Sequence, residues 1–247
     1  MSILVVTGTG IGVGKTVVAA AVAVLAHERG LRVAYVKPAQ TGLDYGAMGG
    51  AQLSDAEVVN SLSGLGMSDT HEFARYPDPL SPAAAARTSG WPTLEMGKAA
   101  ARIRVLARDN QLVIVEGAGG LLVRYDDDGA TIADLARAVE APVLVVTSAG
   151  LGTLNHTALT LEALAHRGLD LAGLVIGAWP AHPDLAARSN VTDLEMLAAR
   201  PLSGALMALG SKPFALLASA GLAPAFGGRF DPADFRATVL AAYGPGS

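Results

Sequence analysis

Three kinds of residue in this chain have types and spacings suited to handling phosphate. The first is Gly8-Thr9-Gly10-Ile11-Gly12-Val13-Gly14-Lys15-Thr16, between a short β-branched run and a long apolar helix pattern. Glycines let backbone N–H groups turn inward around phosphate oxygens. A helix N-terminus behind them adds partial positive charge. Lys15 can reach the β- and γ-phosphates of a nucleoside triphosphate, and the Thr16 hydroxyl can ligate Mg²⁺. The standard template would have glycine where Thr9 stands, so Gly8 implies a loop one residue longer. A dinucleotide-binding turn fails, because its third glycine would fall on Val13 or Lys15. The second group is the acids. Glu116 ends an apolar run before Gly117-Ala118-Gly119-Gly120, and a carboxylate at a strand's carboxyl end beside a phosphate loop suits a hard cation. Asp55 could add a second ligand, although taken alone it reads first as a helix cap. The third is Lys37, which ends the second strand-like run and could face a γ-phosphate or an anionic substrate.

The elements that must position these residues alternate between strand and helix. Ile3–Thr7, Leu31–Lys37 (closed by Pro38), Leu112–Glu116, Pro142–Thr147, Leu171–Gly177 and Leu202–Leu209 read as strands. They are apolar throughout, the pattern of strands covered on both faces in a parallel sheet. Helices are expected over Lys15–Arg29, Leu159–Arg167 and Asn190–Arg200, the last capped at its start. Another is expected from Asp231 as N-cap with Pro232 in the first turn. Leu43–Gly66 reads as a loop plus a short helix, and Tyr76–Pro82 as a loop.

Composition excludes several classes. Of 247 residues, 51% are hydrophobic and 16% charged, which rules out a disordered chain. The net charge of −4, with no basic stretch, disfavours nucleic acid as a partner. There is no cysteine, so thiolate nucleophiles, disulfides and cysteine-ligated clusters are excluded. The mean hydropathy of +0.40 is high. The longest apolar run, Val17–Ala26, is nevertheless short of the roughly 20 residues that a membrane span needs. No basic stretch precedes the first apolar residues, so no signal peptide is expected and the location expected is cytoplasmic. The five histidines have no metal-ligand spacing. One domain over 1–247 is expected.

Beyond these separate signals, a set of motifs in order resembles the dethiobiotin synthetase family of biotin biosynthesis. The set is Gly8-Thr9 with Val13-Gly14-Lys15-Thr16, Lys37-Pro38 with Thr41-Gly42, Ser54-Asp55, Ser81-Pro82, Val115–Gly120, and Gly152 with Asn155-His156. It covers about residues 1–180. The resemblance implies an α/β fold of the phosphate-loop NTPase type, a mostly parallel seven-stranded sheet with helices on both faces, and a homodimer. It also implies a reaction in which 7,8-diaminopelargonate, CO2 and ATP or another nucleoside triphosphate yield dethiobiotin.

On that basis Lys15, Lys37 and Thr41 are expected to be catalytic, and Thr16, Asp55 and Glu116 to hold Mg²⁺. The nucleotide is expected on Gly12, Val13, Gly14, Lys15, Thr16, Val17, Glu116, Gly117, Ala118 and Gly119. Its base is expected near Gly177, Ala178, Met207, Ala208 and Leu209. The diamine is expected on Lys37, Thr41, Gly119 and Gly120. The partner subunit would add Leu151, Gly152, Thr153, Leu154 and Asn155, so that the site lies at the interface. The family often has polar residues where Gly10, Ile11 and Gly12 stand, Asn where Gly177 stands, and Pro near Met207. These departures lead to the expectation that base selectivity is not strictly for adenine. The competing reading is a nucleotide-switched ATPase of the partition or division-site type. Those usually carry a signature lysine early in the loop, and Thr7–Val13 has none.

Overall fold

The computed structural model describes residues 2–42, 53–208 and 212–241. Seven strands form one sheet in the order β3-β2-β4-β1-β5-β6-β7. The strands are β1 (Ser2–Gly8), β2 (Val33–Thr41), β3 (Thr70–Tyr76), β4 (Leu112–Gly120), β5 (Val143–Thr147), β6 (Leu171–Trp179) and β7 (Gly204–Met207). Every neighbouring pair is parallel. The helices are α1 (Lys15–Glu28), α2 (Asp55–Ser63), α3 (Pro82–Ser89), α4 (Met96–Asp109), α5 (Ile132–Ala138), α6 (Thr153–His166), α7 (Leu185–Ala198), α8 (Phe214–Gly221) and α9 (Pro232–Ala241).

Strand side chains alternate between the two faces, which gives two cores. Leu4, Val6, Tyr35, Ile114, Leu144 and Val175 point to a layer made by α1, α2 and α8. Val5, Val36, Val113, Val115, Val145 and Ile176 point to the opposite layer, made by α3 to α7 and α9. Helix α1 packs against α2 and α8 as well as the sheet. It is therefore buried all round from Val18 to Ala26, which explains an apolar run with no polar face. The carboxyl end of β1, from which the phosphate loop leaves, lies in mid-sheet between β4 and β5. Loops following the strands on either side converge there, where open parallel sheets hold ligands.

The structure differs from expectation in several places. Strand β2 runs through Pro38 to Thr41. Its pairing with β4 ends at Val36↔Val115, and beyond that point it pairs with β3 alone, through Lys37↔Glu72 and Ala39↔Ala74. Pro38, which has no N–H to donate, therefore lies past one of its two ladders. Edge strand β3 was not expected, because Thr-His-Glu-Phe-Ala-Arg-Tyr lacks the apolar run of the central strands. Helix α6 begins six residues before Leu159, directly after Gly152 in the left-handed region (φ 87°). Helix α7 is capped by Asp184, whose carboxylate accepts from the Ala187 N–H at 2.7 Å. Asn190 is thus an interior residue rather than a cap. Asp231 does cap α9, accepting from the N–H groups of Ala233 and Asp234. Strand β7 ends at Met207, and Leu209 lies outside the described residues.

Candidate active site

Alternation along two neighbouring strands builds the centre of the site. Tyr35 and Lys37 share the α1 face of β2, and Ile114 and Glu116 share the same face of β4. The first turn of α1 lies over them and brings in Thr16. Glu116 is fully buried and Lys37 is 3% exposed. An unpaired charge so deep would be costly, and here each charge is matched. Lys37 Nζ donates to Glu116 Oε1 at 2.9 Å and to the Gly117 carbonyl at 3.1 Å. It also pairs with Asp55 Oδ2 at 2.5 Å. Thr16 Oγ1 donates to Glu116 Oε1 at 2.9 Å, and the Tyr35 hydroxyl donates to Oε2 at 2.7 Å. Burial alone would lower the Lys37 pKa. Glu116 and Asp55 outweigh it and hold the ammonium well above its usual value. Burial pushes the Tyr35 phenol far up, and the Glu116 carboxylate adds to this.

Asp55 opens α2, but it is not the cap. Ser54 is the cap, in a reciprocal box with Glu57: the Glu57 N–H donates to Ser54 Oγ at 3.2 Å and the Ser54 N–H to the Glu57 carboxylate at 2.7 Å. That leaves the Asp55 carboxylate to face Lys37, while the Gln40 side-chain carbonyl accepts from the Asp55 N–H at 3.1 Å. The cap reading of Asp55 is thereby corrected.

The phosphate loop closes on itself through Lys15, whose Nζ donates to the Gly10 carbonyl at 2.9 Å. Burial, opposed by Glu116 and Asp55, lowers the Lys15 pKa from its usual value. Gly14 initiates α1 in the left-handed region (φ 94°). It also backs directly onto β6. A Cβ on Gly14 would lie 2.7 Å from the Gly177 carbonyl, and one on Gly177 would lie 2.1 Å from the Val13 carbonyl. Gly177 is therefore the floor on which the loop rests, and no side chain fits there in this arrangement. Ala178 beside it is exposed, Met207 is half-exposed and Ala208 is exposed.

A cavity of about 870 Å³ joins these parts. Among the expected residues its wall includes Gly12, Gly14, Lys15, Thr16, Val17, Lys37, Thr41, Asp55, Glu116, Ala118 and Gly119. Gln40, Pro79, Leu80 and Val123 also line it and carried no sequence signal of their own. Val13, Gly117, Gly120, Gly177 and Ala178 are not on this wall, nor is the turn Leu151–Asn155. That turn adjoins a second cavity of about 190 Å³ between Thr9, Leu121, Leu122, His156 and Leu159. Buried Asn190 fixes the turn, donating to the Ala149 carbonyl at 2.8 Å and the Gly150 carbonyl at 3.1 Å. Thr147 adds contacts to Thr153 (2.6 Å), Thr157 (2.8 Å) and Thr9 (3.3 Å), so that hydroxyls link the turn to the phosphate loop.

The donor set fits Mg²⁺. Thr16 Oγ1 and the Asp55 and Glu116 carboxylates are hard oxygen donors clustered beside a phosphate loop. Mg²⁺ commonly takes one or two carboxylates together with phosphate oxygens. Among the described residues no group of three His, Cys, Asp or Glu could hold a metal unaided. No helix among them is long and apolar enough to cross a membrane.

Residues 2–208 match the family described as an AAA domain. A Parafrankia protein named ATP-dependent dethiobiotin synthetase BioD is 60% identical over 240 residues, covering 96% of this chain and 98% of its own. The Frankia casuarinae protein of the same name is 61% identical over 241 residues, with the same coverage. Among solved structures, a ParA family ATPase from Chlorobium tepidum has a TM-score of 0.52 at 16% identity, covering 100% of this chain and 94% of that one. The cell division ATPase MinD from Pyrococcus furiosus has a TM-score of 0.50 at 19% identity, covering 88% and 96%. These two show a shared phosphate-loop fold and nothing further.

Proposed function

The chain belongs to the ATP-dependent dethiobiotin synthetase family, cyclo-ligases of biotin biosynthesis, and from that membership we propose how its residues divide the work. The substrates are 7,8-diaminopelargonate, CO2 and ATP or another nucleoside triphosphate. One amine of the diamine adds to CO2, giving a carbamate and releasing a proton. A carbamate oxygen attacks the γ-phosphorus, and the nucleoside diphosphate leaves. The second amine then attacks the carbonyl of the resulting carbamic–phosphoric anhydride. Phosphate and a proton depart, and the cyclic urea remains.

The observation that carries this reading is that one cavity holds both the phosphate loop and a buried lysine with two carboxylate partners. Phosphoryl transfer needs positioning and charge neutralisation more than covalent help. Lys15 would neutralise the γ-phosphate. Lys37 would hold the carbamate and its developing oxyanions, with Thr41 hydrogen-bonding the carbamate end. Thr16, Asp55 and Glu116 would hold Mg²⁺, which when bound supplies charge neutralisation on the phosphates. Gly119 and Gly120 let the backbone approach the diamine closely, and Gly117 and Ala118 carry that backbone past the nucleotide.

The turn at Leu151–Asn155 would bind the diamine's carboxylate in the cavity of a second copy. Leu151 is 88% exposed there, and Leu122 and Leu159, which line the smaller cavity, are half-exposed, which supports pairing of two copies across this face. The whole chain would act as one cytoplasmic synthetase domain, with neither nucleic acid nor membrane as a partner. Phosphate release with diaminopelargonate, bicarbonate, Mg²⁺ and ATP, CTP, GTP or UTP tests this. Diamine-dependent release with dethiobiotin formed is expected, with at least one other nucleotide supporting turnover alongside ATP. Release that ignores the diamine would favour a nucleotide switch.

A further inference from the structure

Glu116 divides its two oxygens between different kinds of partner. Oε1 accepts from Lys37 and Thr16, each at 2.9 Å. In the proposed reaction both of these donors change allegiance, Lys37 to the carbamate and Thr16 to the cation. Oε2 accepts from Tyr35 at 2.7 Å. Tyr35 is fully buried, packs in the core layer beneath α1 and is not on the cavity wall. Its hydroxyl has no reacting group within reach and no reason to move during turnover. A carboxylate left with Oε2 unpaired in this buried place would lose a strong, charge-assisted bond. It would then be drawn to swing both oxygens onto Lys37, the remaining charged donor.

We propose that Tyr35 is a positioning residue for the cation-binding carboxylate: by holding Oε2 it keeps Oε1 directed at Thr16 and the cavity while Lys37 is released to the substrate. This rests on the reading of Glu116 as a ligand given above, and it adds a residue that neither touches substrate nor lines the cavity. Tyr35 acts through Glu116 alone, so its effect must vanish when Glu116 can no longer bind a cation.

The test is a cycle of Tyr35→Phe, Glu116→Gln and the double variant, with Mn²⁺ and ADP as the probe and free Mn²⁺ followed by electron paramagnetic resonance. Outer partners of metal ligands typically contribute 10–100-fold, so Tyr35→Phe should weaken Mn²⁺ binding by about tenfold. It should lower kcat by a similar factor and leave the KM for diaminopelargonate within about twofold. In the Glu116→Gln background the same change should have no further effect on either quantity. Unchanged Mn²⁺ affinity in Tyr35→Phe, or an equal loss in both backgrounds, overturns the proposal. Ile114→Val is the control for loosened packing in the same layer, expected to lower Tm without altering Mn²⁺ affinity. Should Tyr35→Phe not fold, a crystal structure of the wild-type chain with Mn²⁺ and ADP still decides. It should keep the Tyr35–Glu116 bond while Thr16 turns from Oε1 to the cation, and a broken Tyr35 bond refutes the idea. The Mn²⁺ measurements need no diamine, so failure of the synthetase reading would appear separately, as absent diamine-dependent turnover.

Discussion

The carboxyl end of the sheet has two sides built on opposite plans. Toward β2 and β4, polar side chains are buried and each has a named partner: Lys37 with Asp55 and Glu116, Glu116 with Tyr35 and Thr16. Toward β5, β6 and β7, the same level of the fold offers backbone and exposed side chains: Gly177, Ala178, Leu151 and Met207. The first side is finished within one chain. The second has rigid supports but no charged side chain at those positions. Charge chemistry demands fixed geometry in a low dielectric, so it is preorganised by burial. On the reading proposed above, recognition of the base and of the far end of the diamine is left to main-chain groups and to a second copy.

Substitutions on the second side can break this comparison. Gly177→Ala should have the largest effect, because its methyl would meet the Val13 carbonyl and lift the phosphate loop from its floor. Overpacking of this kind costs about 1–3 kcal/mol, so nucleotide affinity measured by calorimetry should fall by roughly 10- to 100-fold. Unchanged affinity would mean that the loop does not depend on β6. Asn190→Ala comes next. It removes both side-chain hydrogen bonds to the β5–α6 turn and should raise the KM for diaminopelargonate about tenfold with kcat little changed, a loss of about 1.4 kcal/mol in binding. A fall in kcat without a KM effect would place the turn elsewhere in the mechanism.

The smallest effect sharpens the comparison from outside the cavity. Burial works to raise the Asp134 pKa, but hydrogen bonds from the Thr131 hydroxyl and N–H, with Arg167, bring it below the usual aspartate range. A depressed folded-state value means that the unfolded chain binds more protons. The stability Asp134 supplies is therefore full above the usual aspartate range and is lost as the pH falls through the folded-state value. Asp134→Asn should cost about 1 kcal/mol at neutral pH, mostly through the helix-start bonds, since water screens the half-open Arg167 pair. Denaturant midpoints of the two proteins should converge in acid, while turnover per folded molecule stays the same.

What the sequence revealed follows the same division. The phosphate loop, Glu116 and Lys37 were legible because their chemistry is local: glycine spacing, a helix start, a charge at the end of an apolar strand. Asp55 was ambiguous until Ser54 and Glu57 were seen to complete the cap without it. Tyr35 was hidden because a tyrosine within an apolar strand looks like core, although its place two residues before Lys37 puts both on one face. Gln40, Pro79 and Val123 reach the cavity only through the extension of β2 past Pro38 and the close of the loops after β3 and β4. The role of Gly177 was masked for another reason. A missing side chain looks like a lost contact in sequence, whereas in three dimensions it admits the Val13 carbonyl. Asn190 looked like a cap because its purpose, the turn at Ala149-Gly150, lies 40 residues away.

The central claim is that Lys37 serves the carbamate and not the nucleotide. The direct measurement compares wild type with Lys37→Met, scoring dethiobiotin formed in a single turnover alongside calorimetric binding of ADP with Mg²⁺. Nucleotide binding within a fewfold of wild type, with product formation reduced by about 10²-fold or more, is the expected result. Near wild-type product formation by Lys37→Met would contradict the account.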